Sequence, residues 1–446
     1  MKRIFLVLSV LLLAAGNASA ARDFGKYFTG RTLRLDYTLA GSASGQNVYL
    51  QKICRTGAWA GRRSNLDTLL VAGNAQVAVR SLEGRLLYVQ GFSTLFQEWL
   101  TTEEATRLAK AFECPVLIPE PRQKVRVELS LMNNRRVKCA SLEYELDPKD
   151  ILIREIEDNG NPRQVFMEHG PLESAYDIVI VAEGYTAAEQ QKFFEDALRL
   201  NSRLFSHSPF DALAQRFNVR AVFVPSPQSG TSRPSKGEWK RTPASSHFDT
   251  FYSDRYLTTS SLVAVHDAIG TVPFEQIILL VNTSHYGGGG IFNNITICAA
   301  DHPYSPVVFV HEFGHSFAGL ADEYDYGQED DPTYPPDIEP WEPNITTLVD
   351  FASKWQDLLP ASVAIPTEPD ALERDNDLRR IWKKLTPEQK AQINSKLGVY
   401  EGAGYRPKGV YRPVQECRMR INECEEFCPV CTRAIEKMTY YCTGKQ

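Results

Sequence analysis

Several things are scarce in these 446 residues, and each scarcity removes a class of protein. Beyond the N-terminal leader no stretch reaches the ~18 uninterrupted apolar residues that a membrane-crossing helix needs, so a polytopic membrane protein is not expected. Positive charge is in deficit. The 49 Lys and Arg against 55 Asp and Glu leave a net charge of −6, which argues against a nucleic-acid or anionic-membrane partner. Histidine is rare, eight in all, and none lies in residues 30–150. Any histidine-based centre must therefore sit later in the chain. The glycine run at 287–290 lacks the lysine and the strand–helix setting that a phosphate cradle requires; it reads better as a flexible lip.

The first twenty residues, "MKRIFLVLSVLLLAAGNASA", have a basic start, an apolar run and the small-residue end Ala18-Ser19-Ala20. That is the pattern of a cleaved signal peptide. The mature chain is expected to be exported: periplasmic, cell-surface-associated or extracellular. Export permits disulfides, and the nine cysteines are an odd number. Five of them, Cys417, Cys424, Cys428, Cys431 and Cys442, fall close together. Disulfides that staple a loop-rich tail are the favoured reading, with a structural metal or free thiols as alternatives.

Residues 21–162 alternate apolar and polar side chains in short runs, at 32–39, 75–82, 85–92, 124–132 and 135–146, separated by tight turns. This periodicity predicts a β-sandwich. The capping pattern of "TTEEATRLAKAF" predicts one helix at 102–112. From residue 163 the pattern changes. Buried strands at 176–185, 217–226 and 275–284 alternate with helices at 186–205 and 258–269, which predicts an α/β layer with a mainly parallel sheet. Residues 291–300 are expected to form an edge strand, and the proline-rich stretch after it an irregular C-terminal part.

"HEFGHSFAGLADEY" at 311–324 carries the chemistry. On a helix, His311 and His315 share a face, and Glu312 can reach a water on the open side of an ion they hold. A catalytic zinc takes a third protein ligand. The longest common form of this motif has a histidine ten residues after the first, where this chain has Ala321. Three candidates remain: Asp322, three residues past the helix-ending Gly319; Glu323 beside it; or a distant glutamate on another helix.

These residues, together with "YDIVIVAEGYT" upstream and "CRMR…FCPVC" downstream, resemble the immunoglobulin-A peptidase family of secreted bacterial zinc metallopeptidases. The resemblance spans residues 176–431, and the preceding β segment is similar to the N-terminal domain that accompanies it. It implies a metzincin-like catalytic domain over residues 163–446, with mixed sheet, zinc helix, glycine turn and a methionine-bearing turn under the metal. It also implies Zn2+ held by His311, His315 and Asp322, with Glu312 as general base. An aspartate in place of the usual histidine is a departure from most metzincins. Met419 suits the methionine turn as an outer packing residue. Tyr405 and Tyr411 are candidates to stabilise an oxyanion. The run Asp322, Glu323, Asp325, Glu329, Asp330 and Asp331 is a candidate Ca2+ site, although it lacks EF-hand spacing. The expected partner is a protein or peptide substrate, with a glycan or protein contact through the N-terminal domain. Two rival functions are an adhesion protein carrying a residual zincin domain and an amidase acting on cell-wall peptide.

Overall fold

The computed structural model describes residues 24–327, 331–369 and 382–444. The leader and two members of the acidic run, Glu329 and Asp330, lie outside the described residues.

The first part of the chain runs β1 (Phe28–Ser42), β2 (Gly45–Ala58), β3 (Ala75–Ser81), β4 (Leu86–Phe92), the short helix α1 (Leu95–Trp99), β5 (Lys110–Pro121), β6 (Val125–Met132), β7 (Lys138–Leu146) and β8 (Arg154–Glu155). They make two four-stranded sheets, ordered β5-β1-β2-β8 and β4-β3-β6-β7. The alternation in the sequence is the cause. Leu33, Leu35, Tyr37 and Leu39 of β1 and Val125, Val127, Leu129 and Leu131 of β6 are all buried in one core. Each such side chain taken from water contributes roughly 1.5–3 kcal/mol.

The expected helix at 102–112 is not there. A single 3-10 turn at Glu103–Thr106 is followed by β5, which pairs along β1. Thr102 does not cap; its hydroxyl donates to the Trp99 carbonyl at 2.7 Å. The nearby cap belongs to Thr94, which accepts from Gln97 N and starts α1. Long-range pairing outweighs local helix preference here.

The second part holds β9 (Arg163–Met167), β10 (Tyr176–Glu183), α2 (Gln190–Phe205), β11 (Phe217–Val222), α3 (Leu262–Ile269), β12 (Gln276–Val281), β13 (Gly288–Ile291), β14 (Ile295–Ala299) and α4 (Ser305–Ala318). A small hairpin of β15 (Tyr400–Ala403) and β16 (Arg406–Arg412) and the terminal helix α5 (Pro429–Thr443) follow. One six-stranded sheet is ordered β13-β14-β12-β10-β11-β9. Its inner strands are parallel, and both edges are antiparallel. The inner strands β10 and β12 are buried throughout, as continuous apolar runs require. Helix α2 is preceded by the predicted capping box, with Thr186 N donating to Glu189 Oε2 at 2.8 Å. No described helix is long and apolar enough to cross a membrane.

Two histidines outside the motif are sealed in. Burial, with Arg34 nearby, pushes His266 on α3 down to about 3. Burial, with Arg418 nearby, pushes His207 down to about 4. The folded chain keeps both rings neutral, while an unfolded histidine takes a proton near pH 6.5. Below that pH the unfolded state binds more protons, so stability falls with acid through the window from pH ~6.5 toward those lower values. By pH 5 the loss should be on the order of 2 kcal/mol for each ring. Urea titrations at pH 7 and pH 5 should show it, and His266→Phe should flatten the slope. An unchanged slope in that variant would remove His266 as a cause.

Candidate active site

Helix α4 positions the motif. Proline at its N-terminal turn fixes the start, and Gly319 ends it in the left-handed conformation at φ 65°, where a side chain would be strained. The Gly319 N–H returns to the His315 carbonyl at 3.0 Å. The chain then turns back and brings Asp322 under the two histidines. Asp322 Oδ1 lies 3.0 Å from His311 Nε2 and 3.3 Å from His315 Nε2, and the two Nε2 atoms are 3.0 Å apart. Three ligand-type atoms thus converge on one point.

Each histidine is oriented from behind. His311 Nδ1 meets the Arg418 carbonyl at 3.0 Å, and His315 Nδ1 meets the Leu320 carbonyl at 2.5 Å. A carbonyl can only accept, so Nδ1 carries the proton and Nε2 presents its lone pair inward. Tyr405 donates its hydroxyl to Asp322 Oδ2 at 2.7 Å. That leaves Oδ1 buried with no hydrogen-bond partner among the described residues, a costly state for a carboxylate oxygen unless a cation meets it. Burial alone would lower the His315 pKa, yet the Asp322 carboxylate raises it to about 9. Asp322 itself, despite burial, is held well below the usual carboxylate range by the histidines. A divalent ion fits these three groups, two imidazoles and a carboxylate, at separations near the ~3.3 Å expected around a tetrahedral ion with bonds of about 2.0 Å.

Glu312 sits beside this group, with its pKa raised by burial and by Asp322 against the opposing histidines. Met419 is fully buried beneath the helix. Its sulfur lies 3.0 Å from where a Cβ on Gly314 would stand, so the glycine at that position lets the methionine turn approach. The Met419 carbonyl accepts from Glu323 N at 2.9 Å. Ala321, in the place of the missing histidine, is instead clamped by Asn344, which accepts from its N–H and donates to its carbonyl.

Residues 165–439 match the family model described as IgA Peptidase M64, and residues 23–143 match that described as Peptidase M64 N-terminus. The chain belongs to the IgA peptidase M64 family. It is therefore a metallopeptidase, a hydrolase of peptide bonds that uses a metal and takes a protein or peptide substrate. A search of curated proteins finds no match to it.

The cleft of this M64 peptidase, about 930 Å³, has walls from both parts of the chain. Gln97 and Glu98 of α1, with Asn74 and Arg136 from turns of the same N-terminal part, line it opposite Glu312, Asp322 and Tyr324. Tyr256 ties the two sides by donating to Glu98 Oε2 at 2.7 Å. Burial pushes Glu98 up to about 7. None of Asn344, Glu98 and Tyr256 was indicated by the sequence. Their partners lie far away along the chain, and no motif marks them.

Four expectations need correction. The edge strand is β13 at Gly288–Ile291, and not residues 291–300, which mostly form its inner neighbour β14. The glycine run is thus an ordered strand and not a loose lip, and its small residues have a packing reason. A Cβ on Gly288 would stand 2.9 Å from Glu312 Cγ, and one on Gly290 would stand 2.3 Å from the Glu312 carbonyl oxygen. Tyr411 does not line the cleft; its phenol interacts with Glu401. The acidic run does not gather as a calcium site among the described residues, because Asp322 and Glu323 join two different ligand groups and the others join neither.

The glycine packing gives a direct test. Gly290→Ala should force β13 off the helix, at a cost of about 1–3 kcal/mol in stability, with a larger fractional loss of hydrolysis. Gly45→Ala, where a Cβ meets nothing within 4 Å, should change activity little. Equal activities in the two variants would separate β13 from the function.

Proposed function

We propose that this chain is an exported zinc endopeptidase whose ion is held by His311, His315 and Asp322, with Glu312 as general base. The observation that carries the reading is the convergence of two inward-facing Nε2 atoms on the buried, unpartnered Asp322 Oδ1. Zinc bound there would lower the pKa of an attacking water and polarise the scissile carbonyl. Glu312, whose half-buried carboxyl has a raised pKa, takes the proton of that water and passes it to the leaving amine. Tyr405, placed on Asp322 rather than alone in the cleft, fixes the carboxylate and lines the cleft in which charge would develop on the substrate. The catalytic domain, over residues 163–446, is read as metzincin-like because a glycine turn follows the helix and a buried methionine packs under it. Export rests on the leader in residues 1–20.

The cleft suits an extended chain. β13 is the outermost strand of its sheet. Its Gly288 groups are taken by Arg255 and Leu257. Strand alternation turns the backbone of Gly290 to the same outer edge, where a substrate strand can pair. Such an open groove favours cleavage inside a chain, and the metallopeptidase family does not favour the adhesion alternative.

Casein and a peptide library should be hydrolysed by the purified chain. A strong chelator should stop hydrolysis, and added zinc should restore it. Undiminished cleavage after complete metal removal would end the zinc reading.

A further inference from the structure

The structure holds a second convergence of ligand atoms, separate from the catalytic group. We propose that Cys417, Cys428, Cys431 and Glu323 form a buried structural site for a thiophilic divalent cation, zinc in the first place. One atom from each of the four lies within 4.8 Å of the others, and all four residues are buried.

The distances fit an ion and not a disulfide. The sulfurs of Cys417 and Cys431 are 3.9 Å apart. A disulfide needs about 2.05 Å, whereas two sulfurs on a tetrahedral zinc with bonds of about 2.3 Å stand about 3.8 Å apart. Cys431 Sγ lies 3.2 Å from Glu323 Oε1, near the ~3.5 Å that sulfur and oxygen take on the same ion. The count points the same way. Joining any two of three thiols would strand the third beside a buried carboxylate, while one four-coordinate ion uses all four groups. Glu323 Oε2 is buried without a hydrogen-bond partner among the described residues, which a cation would remedy.

The surroundings are those of a metal-binding knuckle. Cys428-Pro429-Val430-Cys431 has the two-residue spacing of a chelating pair and opens helix α5, with Cys428 at the cap. Backbone N–H groups point at the sulfurs: Cys428 N to Cys417 Sγ at 3.3 Å and Cys431 N to Cys428 Sγ at 3.4 Å. Such donors stabilise thiolates. Asn344 Nδ2 orients the carboxylate at 2.9 Å. Cys424, which its spacing groups with the pair, turns instead to the Glu426 carbonyl. Among the described residues no disulfide joins the nine cysteines, so the stapled tail expected from an exported chain is replaced by this cluster. Loading leaves three thiolates and one carboxylate around one divalent ion, and every proton that these four groups still carry passes to solvent.

The site joins three pieces that build the catalytic group. Glu323 follows the ligand Asp322. Cys417 precedes Arg418, whose carbonyl orients His311, and Met419. Helix α5 packs against α4. The ion would fasten the ligand turn, the methionine turn and the terminal helix to one another.

The full mature chain, purified without chelator, should carry two metal ions by elemental analysis. A His311→Ala/His315→Ala chain should retain one. Cobalt loaded into that variant should give the intense thiolate-to-metal charge-transfer absorption that a histidine–carboxylate site cannot give. This readout does not depend on hydrolysis, so it stands or falls apart from the peptidase reading. Cys417, Cys428 and Cys431 should resist alkylation in the native protein and become fully alkylated after chelation and denaturation without reductant. Cys428→Ser and Glu323→Gln should each lower metal content by one. If Cys428→Ser fails to fold, the unmutated chain and the histidine variant still decide. No metal in the histidine variant, or any disulfide among the three cysteines in peptide maps, overturns the proposal.

Discussion

Glu312→Gln should retain its metal and lose hydrolysis by about 10³-fold or more, toward the upper end of what general acid–base catalysis contributes. Glutamine keeps the shape and can still hydrogen-bond water, but it cannot take a proton. The wall around the residue makes the test clean. Helix α4 fixes its backbone, and Gly288 of β13 lies against its side chain, so the amide should occupy the same place. None of the three converging ligand atoms is altered. Turnover measured with metal content in the same samples checks the outcome. A kcat within tenfold of the parent would take the base role from Glu312; loss of metal would make the variant a structural one.

The other large effect is expected at Asp322. Removing its carboxylate by Asp322→Ala takes one of three atoms from the group and leaves Tyr405 without an acceptor. Metal affinity should fall by well over the 10–100-fold that loss of an outer hydrogen-bond partner costs, and hydrolysis should fall with it. Tyr405→Phe supplies that milder comparison, since it removes only the hydroxyl behind Oδ2. The order of affinities should be parent, Tyr405→Phe, Asp322→Ala, read by titration with a competing zinc dye. An Asp322→Ala chain that binds as tightly as the parent would place the third ligand elsewhere. Total metal should drop by one ion and not to zero, because the cysteine cluster is untouched.

What could be read in advance follows from the range of the interactions. Strands such as β1 and β6 announce themselves because every second residue meets the same core. His311 and His315 share a face by helical geometry alone. Asp322 was reachable by counting from Gly319 rather than from His311, since the left-handed residue, not the first ligand, sets where the chain turns. The helix predicted at 102–112 stops at a 3-10 turn because its last residues, Lys110, Ala111 and Phe112, pair with β1, more than sixty positions earlier. Glu98 and Tyr256 meet across 158 positions. Glu323 and Cys431 meet across 108. No local periodicity carries such pairs. The glycines of β13 were visible, but their reason, the closeness of α4, is a property of the packed molecule.

The turn after Gly319 is read twice, once on each of its sides. Asp322 faces the histidines and Glu323, its neighbour, faces the thiols. Adding one residue between Gly319 and Asp322 would bring Ala321 to the histidines and Asp322 to the thiols, and deleting one would bring Glu323 to the histidines and Tyr324 to the thiols, so either change spoils both sides at once. Two independent checks on a single spacing leave that loop almost no freedom to drift in length, even though surface loops ordinarily tolerate insertions well. Variation in this peptidase should therefore collect in the walls of the cleft, where Asn74, Gln97 and Arg136 stand, while the stretch from Gly319 to Tyr324 keeps its count.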